Sequence, residues 1–266
     1  MLREVDGPII MNSNRRVSTD ACLLIFDPHQ DVAWIRGILQ REQQRVSHLL
    51  LGGDYFDTFR EDQVVGVEDM CDLLLELRET WQDRLTLLLG NHDVHYMEAK
   101  RWCDMHRNPK SLNYKCSGYT NNKAKHISKK LSWEFWRGCR LFQEVNGFLI
   151  SHAGVAGRFW HSDLQLEAAI EALDGHCQVV LERLPFHSFA ILKPGRARGG
   201  DEEKGGITWM DFDSEFSELE IPLPQIVGHT PSERGPRQNG RSWCLDGHQS
   251  CYGILKRTGD LEVCRL

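Results

Sequence analysis

The fold is most constrained by three short apolar runs that alternate with segments of helical spacing. The runs lie within residues 21–26, 47–53 and 84–90, and each centres on an apolar stretch of strand length. Such runs are typical of strands buried on both faces of a sheet. The intervening segments, residues 31–44 and 61–81, repeat apolar residues at helical intervals. Alternating strands and helices predict βαβ units around a parallel sheet, so we expect an α/β protein.

The chain carries further strand signals after residue 90. Apolar runs within residues 147–154 and 222–231 have similar lengths and predict two more buried strands. Residues 241–266 predict short strands, with a turn at 257–260, where the sequence is RTGD. We therefore expect an antiparallel unit at the end of the chain.

Two helical regions and one basic segment are expected between these strands. Residues 164–184 predict a helix, with a break at Gly175 because glycine is a poor helix former. Residues 131–145 are interpreted as a pair of helices that packs in the core. Residues 100–130 contain nine Lys or Arg and one Asp. We interpret this segment as an insertion into a single domain of residues 1–266, either solvated or acting as a cap that attracts an anionic substrate.

The composition excludes several classes of protein. Apolar residues make up 41% of the 266 residues, which is enough for a core and argues against global disorder. The net charge of −6 argues against a general nucleic-acid or membrane-surface binder. No apolar run approaches the roughly 20 residues that span a bilayer, and the first 16 residues do not predict a signal peptide. Nine cysteines without a CxxC pair favour a reducing, cytoplasmic location.

Each of the five predicted buried strands is followed by side chains that bind metals or transfer protons. These side chains are Asp27 and His29, Asp54 and Asp57, Asn91 and His92, His152, and His229. A single Asp or His at a strand end is usually a helix cap or a hydrogen-bonded residue. In α/β proteins, however, the carboxyl ends of the strands meet where ligands bind. The repetition at five strand ends therefore indicates a functional site.

The motifs at these strand ends resemble those of the calcineurin-like metallophosphoesterase superfamily. The sequence reads DPH, GDYFD, GNHD, SHAG and GHTP, in that order, over about 200 residues from Asp27 to Pro231. The order is most similar to the phosphoprotein-phosphatase and diadenosine-tetraphosphate hydrolase branch. This resemblance implies two mixed β-sheets packed face to face and flanked by helices, with the site in the loops along one edge.

The resemblance also implies a centre of two divalent metal ions. The first ion is held by Asp27, His29 and Asp54, and the second by Asp54, Asn91, His152 and His229. Such ions lie roughly 3.5–4 Å apart and activate a shared water. The mixture of carboxylate, imidazole and amide ligands favours manganese, with iron or zinc as alternatives.

The reaction implied is hydrolysis of a phosphate monoester, of a phosphoprotein or a small molecule, by a metal-bridging hydroxide. His92 is the expected general acid, and Asp57 is expected to hydrogen-bond it and keep it protonated. Asp93 either shares the role of Asp57 or caps the following segment. A dinucleoside-polyphosphate hydrolase or a phosphodiesterase is the alternative. A metal-binding interaction module with weak catalysis is the alternative from another class.

The chain departs from the phosphoprotein-phosphatase pattern at the arginines that bind phosphate. Thr58 stands where the family has an arginine after GDxxD, and Asp211 stands at the second arginine position, after GGITWM. The candidates to replace them are Arg60, Arg196 and Arg198. Phosphodiesterases of the superfamily often carry a second histidine in GHxH, where this chain has Pro231. Its absence favours monoesters over diesters.

Overall fold

A computed structural model describes residues 16–58, 66–106 and 116–265, and these residues form two five-stranded sheets flanked by helices. The first sheet contains β1 (Ala21–Ile25), β2 (His48–Leu51), β3 (Leu85–Leu87), β9 (Cys251–Lys256) and β10 (Leu261–Arg265) in the order β10-β9-β1-β2-β3. The pairs β1–β2 and β2–β3 are parallel, which confirms the predicted βαβαβ unit. Strand β9 pairs antiparallel with β1 and with β10, as expected for the end of the chain. Residues 242–244 of the same predicted unit instead join the second sheet, where one of their two neighbours is parallel.

The second sheet contains β4 (Phe142–Val145), β5 (Phe148–Ser151), β6 (Gln225–Val227), β7 (Arg237–Asn239) and β8 (Ser242–Cys244) in the order β4-β5-β6-β8-β7. The central strands β5, β6 and β8 are parallel, whereas β4 and β7 are antiparallel to their neighbours. Both sheets are therefore mixed, as the resemblance implied.

The prediction of two helices within residues 131–145 is wrong for the second half of that range. Only α5 (Trp133–Arg137) is helical there, and residues 142–145 form β4 in a hairpin with β5. Asn146 and Gly147 connect the two strands with φ of 49° and 85°. Positive φ at both central residues suits the tight turns whose twist matches that of a hairpin, and Asn-Gly favours such turns.

The described residues include six α-helices. They are α1 (Val32–Glu42), α2 (Val67–Trp81), α3 (Asn91–His106), α4 (Asn121–Lys130), α5 (Trp133–Arg137) and α6 (Leu166–Arg183). Asp31 caps α1 by accepting the backbone N–H of Trp34 at 2.9 Å. Within the described ranges, no helix is long and apolar enough to cross a membrane.

The predicted break at Gly175 is wrong, because α6 continues through it to Arg183. Buried apolar residues lie on both sides of the glycine at helical spacing, including Leu173, Cys177 and Val180. An interior glycine costs about 1 kcal/mol relative to alanine, and the packing of this apolar face outweighs that cost.

Both faces of the first sheet are buried, which explains its continuous apolar strands. Cys22, Leu24 and Leu50 face the second sheet and cluster with its Ile150 and Ile226. The alternate residues of β1 and β2 belong to the cluster that includes the apolar residues of α1 and α2. The two sheets therefore pack face to face, and the helices cover the outside.

The described part of the basic segment includes α4, which packs against α2 and α3. Its Ala124 and Ile127 are fully buried, while Lys129 and Lys130 are exposed. This helix therefore belongs to the packed structure, and the cap role of residues 100–130 stays a prediction.

Candidate metal and catalytic site

The loops after β1, β2, β3, β6 and β8 meet at one edge of the two sheets and line a cavity of about 260 Å³. The described lining residues are Asp27, His29, Asp54, Thr58, Asn91, His92, Cys116, Ser117, Arg198, Trp209, His229, Pro231, Asp246, His248 and Gln249. Residues from five strand ends are thus brought together, because the carboxyl ends of parallel strands share one edge.

Two groups of potential metal ligands share the Asp54 carboxylate. In the first group, single ligand atoms of Asp27, His29 and Asp54 lie within 4.8 Å of one another. In the second, the same holds for Asp54, His152 and His229. Asp54 is 3% exposed and lies between the two groups, which is the position that a bridging ligand requires.

Asn91 joins the second group through His152. Its Oδ1 lies 3.1 Å from His152 Nε2, and His229 Nδ1 lies 3.2 Å from the same nitrogen. Asp54 Oδ2 is 3.4 Å from it. Within the part of the chain that the structure describes, the Nε2 atom of the buried His229 has no hydrogen-bond partner. Several electron-pair donors therefore converge in a buried space, an arrangement that suits a cation.

Backbone carbonyls orient the rings of two histidines. His152 Nδ1 donates to the carbonyl of Gly52 at 2.9 Å, and His29 Nδ1 donates to that of Phe56 at 3.3 Å. A carbonyl only accepts, so each ring carries a proton on Nδ1, and its Nε2 is the nitrogen nearer Asp54. A carbonyl that fixes the tautomer in this way is a common feature of metal-binding histidines.

The site concentrates negative charge in a buried place. Asp27, Asp54 and Asp246 are each 5% exposed or less. Burial and the carboxylates of Asp246 and Asp54 raise the pKa of Asp27 well above its ordinary value. Burial lowers the pKa of His152, but Asp54 and Asp27 outweigh it and raise that pKa to about 10. This field attracts positive charge, so the donor set fits one or more divalent cations.

Backbone geometry brings these groups into close approach. Asp27, His29, Asp54 and His229 have φ between 42° and 65°, a left-handed conformation that is rare for such residues. At Gly228, a Cβ atom would lie 2.1 Å from Asp27 Oδ2, so only glycine allows the two loops to approach this closely.

Asp93 braces the backbone of the site. Its carboxylate accepts the backbone N–H groups of Asp54 at 2.6 Å, Tyr55 at 3.0 Å and Gly90 at 2.9 Å. These contacts link the loop after β2 to the loop after β3. Asp93 therefore positions Asp54, a role that differs from both roles considered for it from the sequence.

His92 and Asp57 form the predicted pair. His92 Nδ1 lies 3.0 Å from Asp57 Oδ2, and His92 Nε2 lies 4.0 Å from Asp54 Oδ2. Burial lowers the pKa of His92, but Asp54 and the hydrogen-bonded Asp57 raise it above its ordinary value. The ring therefore lies beside the ligand groups with a proton available for transfer.

The structure adds two partners of Asp57 that the sequence did not indicate. Lys123 Nζ lies 2.8 Å from Asp57 Oδ1, and the Tyr96 hydroxyl donates to the same oxygen at 2.6 Å. Lys123 lies 66 residues after Asp57 along the chain, on α4. Nothing in the basic composition of residues 100–130 singles out this lysine.

Of the three candidate arginines, Arg198 is the one placed at the cavity. Among its described lining residues, Arg198 is the only Lys or Arg. Asp211, which stands at the family's arginine position, pairs with Arg198 at 3.0 Å. Arg196 is exposed and does not line the cavity, so a role in substrate binding is not supported. Arg60 lies outside the described residues.

Comparison with known proteins agrees with this arrangement. The sequence profile of the calcineurin-like phosphoesterase family matches residues 27–259 of the chain, and this range includes every proposed metal ligand. The chain belongs to this family and is therefore a phosphoesterase-type hydrolase by descent. No curated protein sequence matches the chain significantly.

Solved structures share the fold at low sequence identity. A cold-active protein-tyrosine phosphatase of a psychrophilic Shewanella species superposes with a TM-score of 0.56 at 16% identity, covering 94% of this chain and 82% of that one. A second structure of a cold-active protein tyrosine phosphatase gives 0.53 at 15% identity, covering 94% and 80%. A putative diadenosine tetraphosphatase gives 0.48 at 13% identity, covering 94% and 96%. The two similarities with a TM-score above 0.5 support the fold.

Proposed function

We propose that the protein hydrolyses phosphate monoesters, of a phosphoprotein or of a small phosphorylated molecule, with the help of two divalent metal ions. The observation that carries the proposal is that two ligand groups share Asp54 beside the His92–Asp57 pair on one cavity. Hydrolysis of a phosphate ester needs a nucleophile, neutralisation of the phosphate charge and a proton for the leaving oxygen. The cavity has a group suited to each need.

The ligand groups define how the ions would be held. Asp27, His29 and Asp54 would hold one ion, and Asp54, Asn91, His152 and His229 would hold the other. Bound divalent cations supply Lewis-acid stabilisation of the phosphoryl oxygens and an activated water. Manganese is the proposed metal, with iron or zinc as alternatives, because the donors are carboxylate, imidazole and amide groups.

His92 is the proposed general acid. Asp57 accepts its Nδ1–H, which orients the ring and leaves the opposite nitrogen to deliver a proton to the leaving oxygen. His92 lines the cavity, whereas Asp57 is fully buried behind it. Asp57 therefore acts through His92 and does not contact the substrate.

Arg198 is proposed to bind the phosphate oxygens in place of the missing family arginines. Its guanidinium is oriented by Asp211 and by a hydrogen bond to the carbonyl of His229 at 3.3 Å. A guanidinium suits phosphate because its parallel N–H groups match two oxygens. Pro231 lines the cavity where related diesterases carry a further histidine, and this supports monoesters as the substrate class.

The proposed partner is therefore a phosphorylated substrate, and the proposed location is the cytoplasm. All nine cysteines are free thiols, and seven of them are buried. Free thiols of this number favour a reducing compartment.

Turnover of p-nitrophenyl phosphate by the manganese-loaded protein tests the proposal. The wild-type protein is expected to be active, and His92→Ala is expected to lower kcat by about 10²–10⁴-fold. The exposed His161 provides a matched control, and His161→Ala is expected to keep full activity. Metal content, measured by mass spectrometry, is expected to be equal in all three proteins.

Two further substrates separate the alternatives. Faster turnover of bis-p-nitrophenyl phosphate would contradict the monoester assignment, and preferential cleavage of diadenosine tetraphosphate, followed by chromatography, would identify a dinucleoside-polyphosphate hydrolase. A protein that binds two manganese ions but turns over none of these compounds would instead be a metal-binding interaction module.

A further inference from the structure

We propose that Lys123 is a positioning residue of the catalytic site, which holds the Asp57 carboxylate in the orientation that aligns His92. The inference rests on the proposed function, because Lys123 acts through the proposed general acid. It gives one residue of the basic segment a specific task. This task differs from the cap role predicted for residues 100–130, in which their positive charge attracts an anionic substrate.

The contacts around Asp57 define this task. Asp57 Oδ2 faces His92 Nδ1 at 3.0 Å, while Oδ1 accepts from Lys123 Nζ at 2.8 Å and from the Tyr96 hydroxyl at 2.6 Å. Both carboxylate oxygens therefore have charged or strongly polar partners on opposite sides. A carboxylate held at both oxygens cannot rotate without breaking a hydrogen bond, so the direction of Oδ2 toward His92 is fixed.

The burial of Asp57 explains why a cation is needed. The residue is 0% exposed, and a buried carboxylate without a charged partner is strongly destabilised. Tyr96 supplies a neutral hydrogen bond, and His92 loses its positive charge when it gives up its proton, whereas Lys123 keeps its charge throughout. The Lys123 side chain is 27% exposed, so its ammonium group keeps part of its hydration while it reaches the buried oxygen.

The segment before α4 fixes the position of Lys123. The carbonyl of Gly118 accepts from Lys123 Nζ at 2.8 Å, and Thr120 caps the helix that carries the lysine. Gly118 has a φ of 86°, and a Cβ there would lie 2.9 Å from the Cβ of Asp57. This segment therefore packs directly against Asp57, on the side away from His92.

The expected kinetic signature follows from where Lys123 lies. Lys123 is not among the described residues that line the cavity, so its loss is expected to leave KM nearly unchanged. A misaligned general acid slows the step that protonates the leaving oxygen. Poor leaving groups depend on that proton more than good ones do, so the loss is expected to grow with the pKa of the leaving alcohol.

The first experiment compares Lys123→Met with Lys123→Arg and Lys129→Met in the manganese-loaded protein. Lys129 is a matched control, because it lies exposed on the same helix. Lys123→Met is expected to lower kcat about tenfold or more for phenyl phosphate but less than about threefold for 2,4-dinitrophenyl phosphate. Lys123→Arg is expected to restore most of the loss, and Lys129→Met to behave as wild type.

A double-variant comparison separates positioning from a general structural effect. In the His92→Ala background, Lys123→Met is expected to have no further effect, because the group through which it acts is gone. An equal loss in both backgrounds, or an equal loss for good and poor leaving groups, would overturn the proposal.

A second experiment does not depend on activity. In the zinc-loaded protein, a hydrogen-bonded Nδ1–H of His92 is expected to give a downfield proton resonance, assigned by its absence in His92→Ala. Lys123→Met is expected to broaden or shift this resonance, while Lys129→Met leaves it in place. An unchanged resonance in Lys123→Met would reject the role of Lys123 even if the wild-type protein hydrolyses no phosphate ester. Conversely, the wild-type protein could show no activity while Lys123→Met still loses the resonance. That result would reject the proposed function but support the role of Lys123.

Discussion

Replacing His48 by glutamine is expected to make the folded protein less sensitive to acid. His48 is the first residue of β2, at the end of the strand opposite Asp54, and it is 5% exposed. Its Nε2 lies 2.9 Å from the Thr86 hydroxyl. Burial lowers the pKa of His48 from 6.5 to about 4, with Asp83 opposing the shift and Arg84 adding to it.

The sign and size of the effect follow from this pKa. Between pH 6.5 and 4 the unfolded chain binds a proton at His48 that the folded protein does not bind. The stability contribution is therefore complete above pH 6.5 and is lost as the pH falls toward 4. Since each pKa unit corresponds to about 1.36 kcal/mol, the loss at His48 amounts to about 2 kcal/mol between pH 7.5 and pH 5.

Urea unfolding of the wild-type protein and His48→Gln at both pH values measures this effect. Glutamine can still hydrogen-bond Thr86 but does not ionise. All other titrating groups are the same in the two proteins, so the difference between their pH-dependent losses of unfolding free energy reports on His48 alone. The loss of unfolding free energy between the two pH values is expected to be about 2 kcal/mol smaller in the variant. An equal loss of unfolding free energy in wild type and His48→Gln would refute this reasoning. His161→Gln, at an exposed position, is the control and is expected to show the same loss as wild type.

Three further perturbations address the site itself. Gly228→Ala would place a Cβ 2.1 Å from Asp27 Oδ2, so we expect calorimetry to show at least about tenfold weaker manganese binding. Asp93→Asn replaces one of the two carboxylate oxygens that accept three backbone N–H groups with an amide donor, and urea unfolding is expected to show a loss of about 2–3 kcal/mol; a loss below about 0.5 kcal/mol would contradict its bracing role. Asp211→Asn is expected to raise KM for p-nitrophenyl phosphate several-fold with kcat little changed, because Arg198 loses its partner; an unchanged KM would contradict that role.

Local sequence patterns were sufficient for the parallel part of the fold and for the set of residues that meet at its edge. Strands buried on both faces need continuous apolar runs, and the βαβ pattern determines which of their ends coincide. A residue placed just after such a run must therefore lie at this edge. This is why Asp27, Asp54 and Asn91, which follow β1, β2 and β3, could be assigned to one edge from the sequence pattern. His152 follows β5 of the second sheet, and only the family resemblance predicted that it joins the same site.

The sequence was less informative where competing local signals were balanced. Gly175 weakens a helix, yet the apolar face of α6 stabilises it as one continuous element. Residues 142–145 are short and apolar, so their periodicity does not distinguish a strand from a helix. The Asn-Gly pair after them was the signal that indicated a hairpin.

The sequence by itself determined which Asp, Asn and His residues follow the strand ends as candidate metal ligands, whereas only the tertiary structure decided which charged partners hold the side chains of the site in place. The pairs Lys123–Asp57 and Arg198–Asp211 join segments whose separation along the chain follows no period. A lysine on a basic helix and an aspartate in place of an expected arginine carry no local signal of their partners. Their roles emerge only when packing brings a buried carboxylate or a cavity-lining guanidinium within hydrogen-bond distance of an opposite charge.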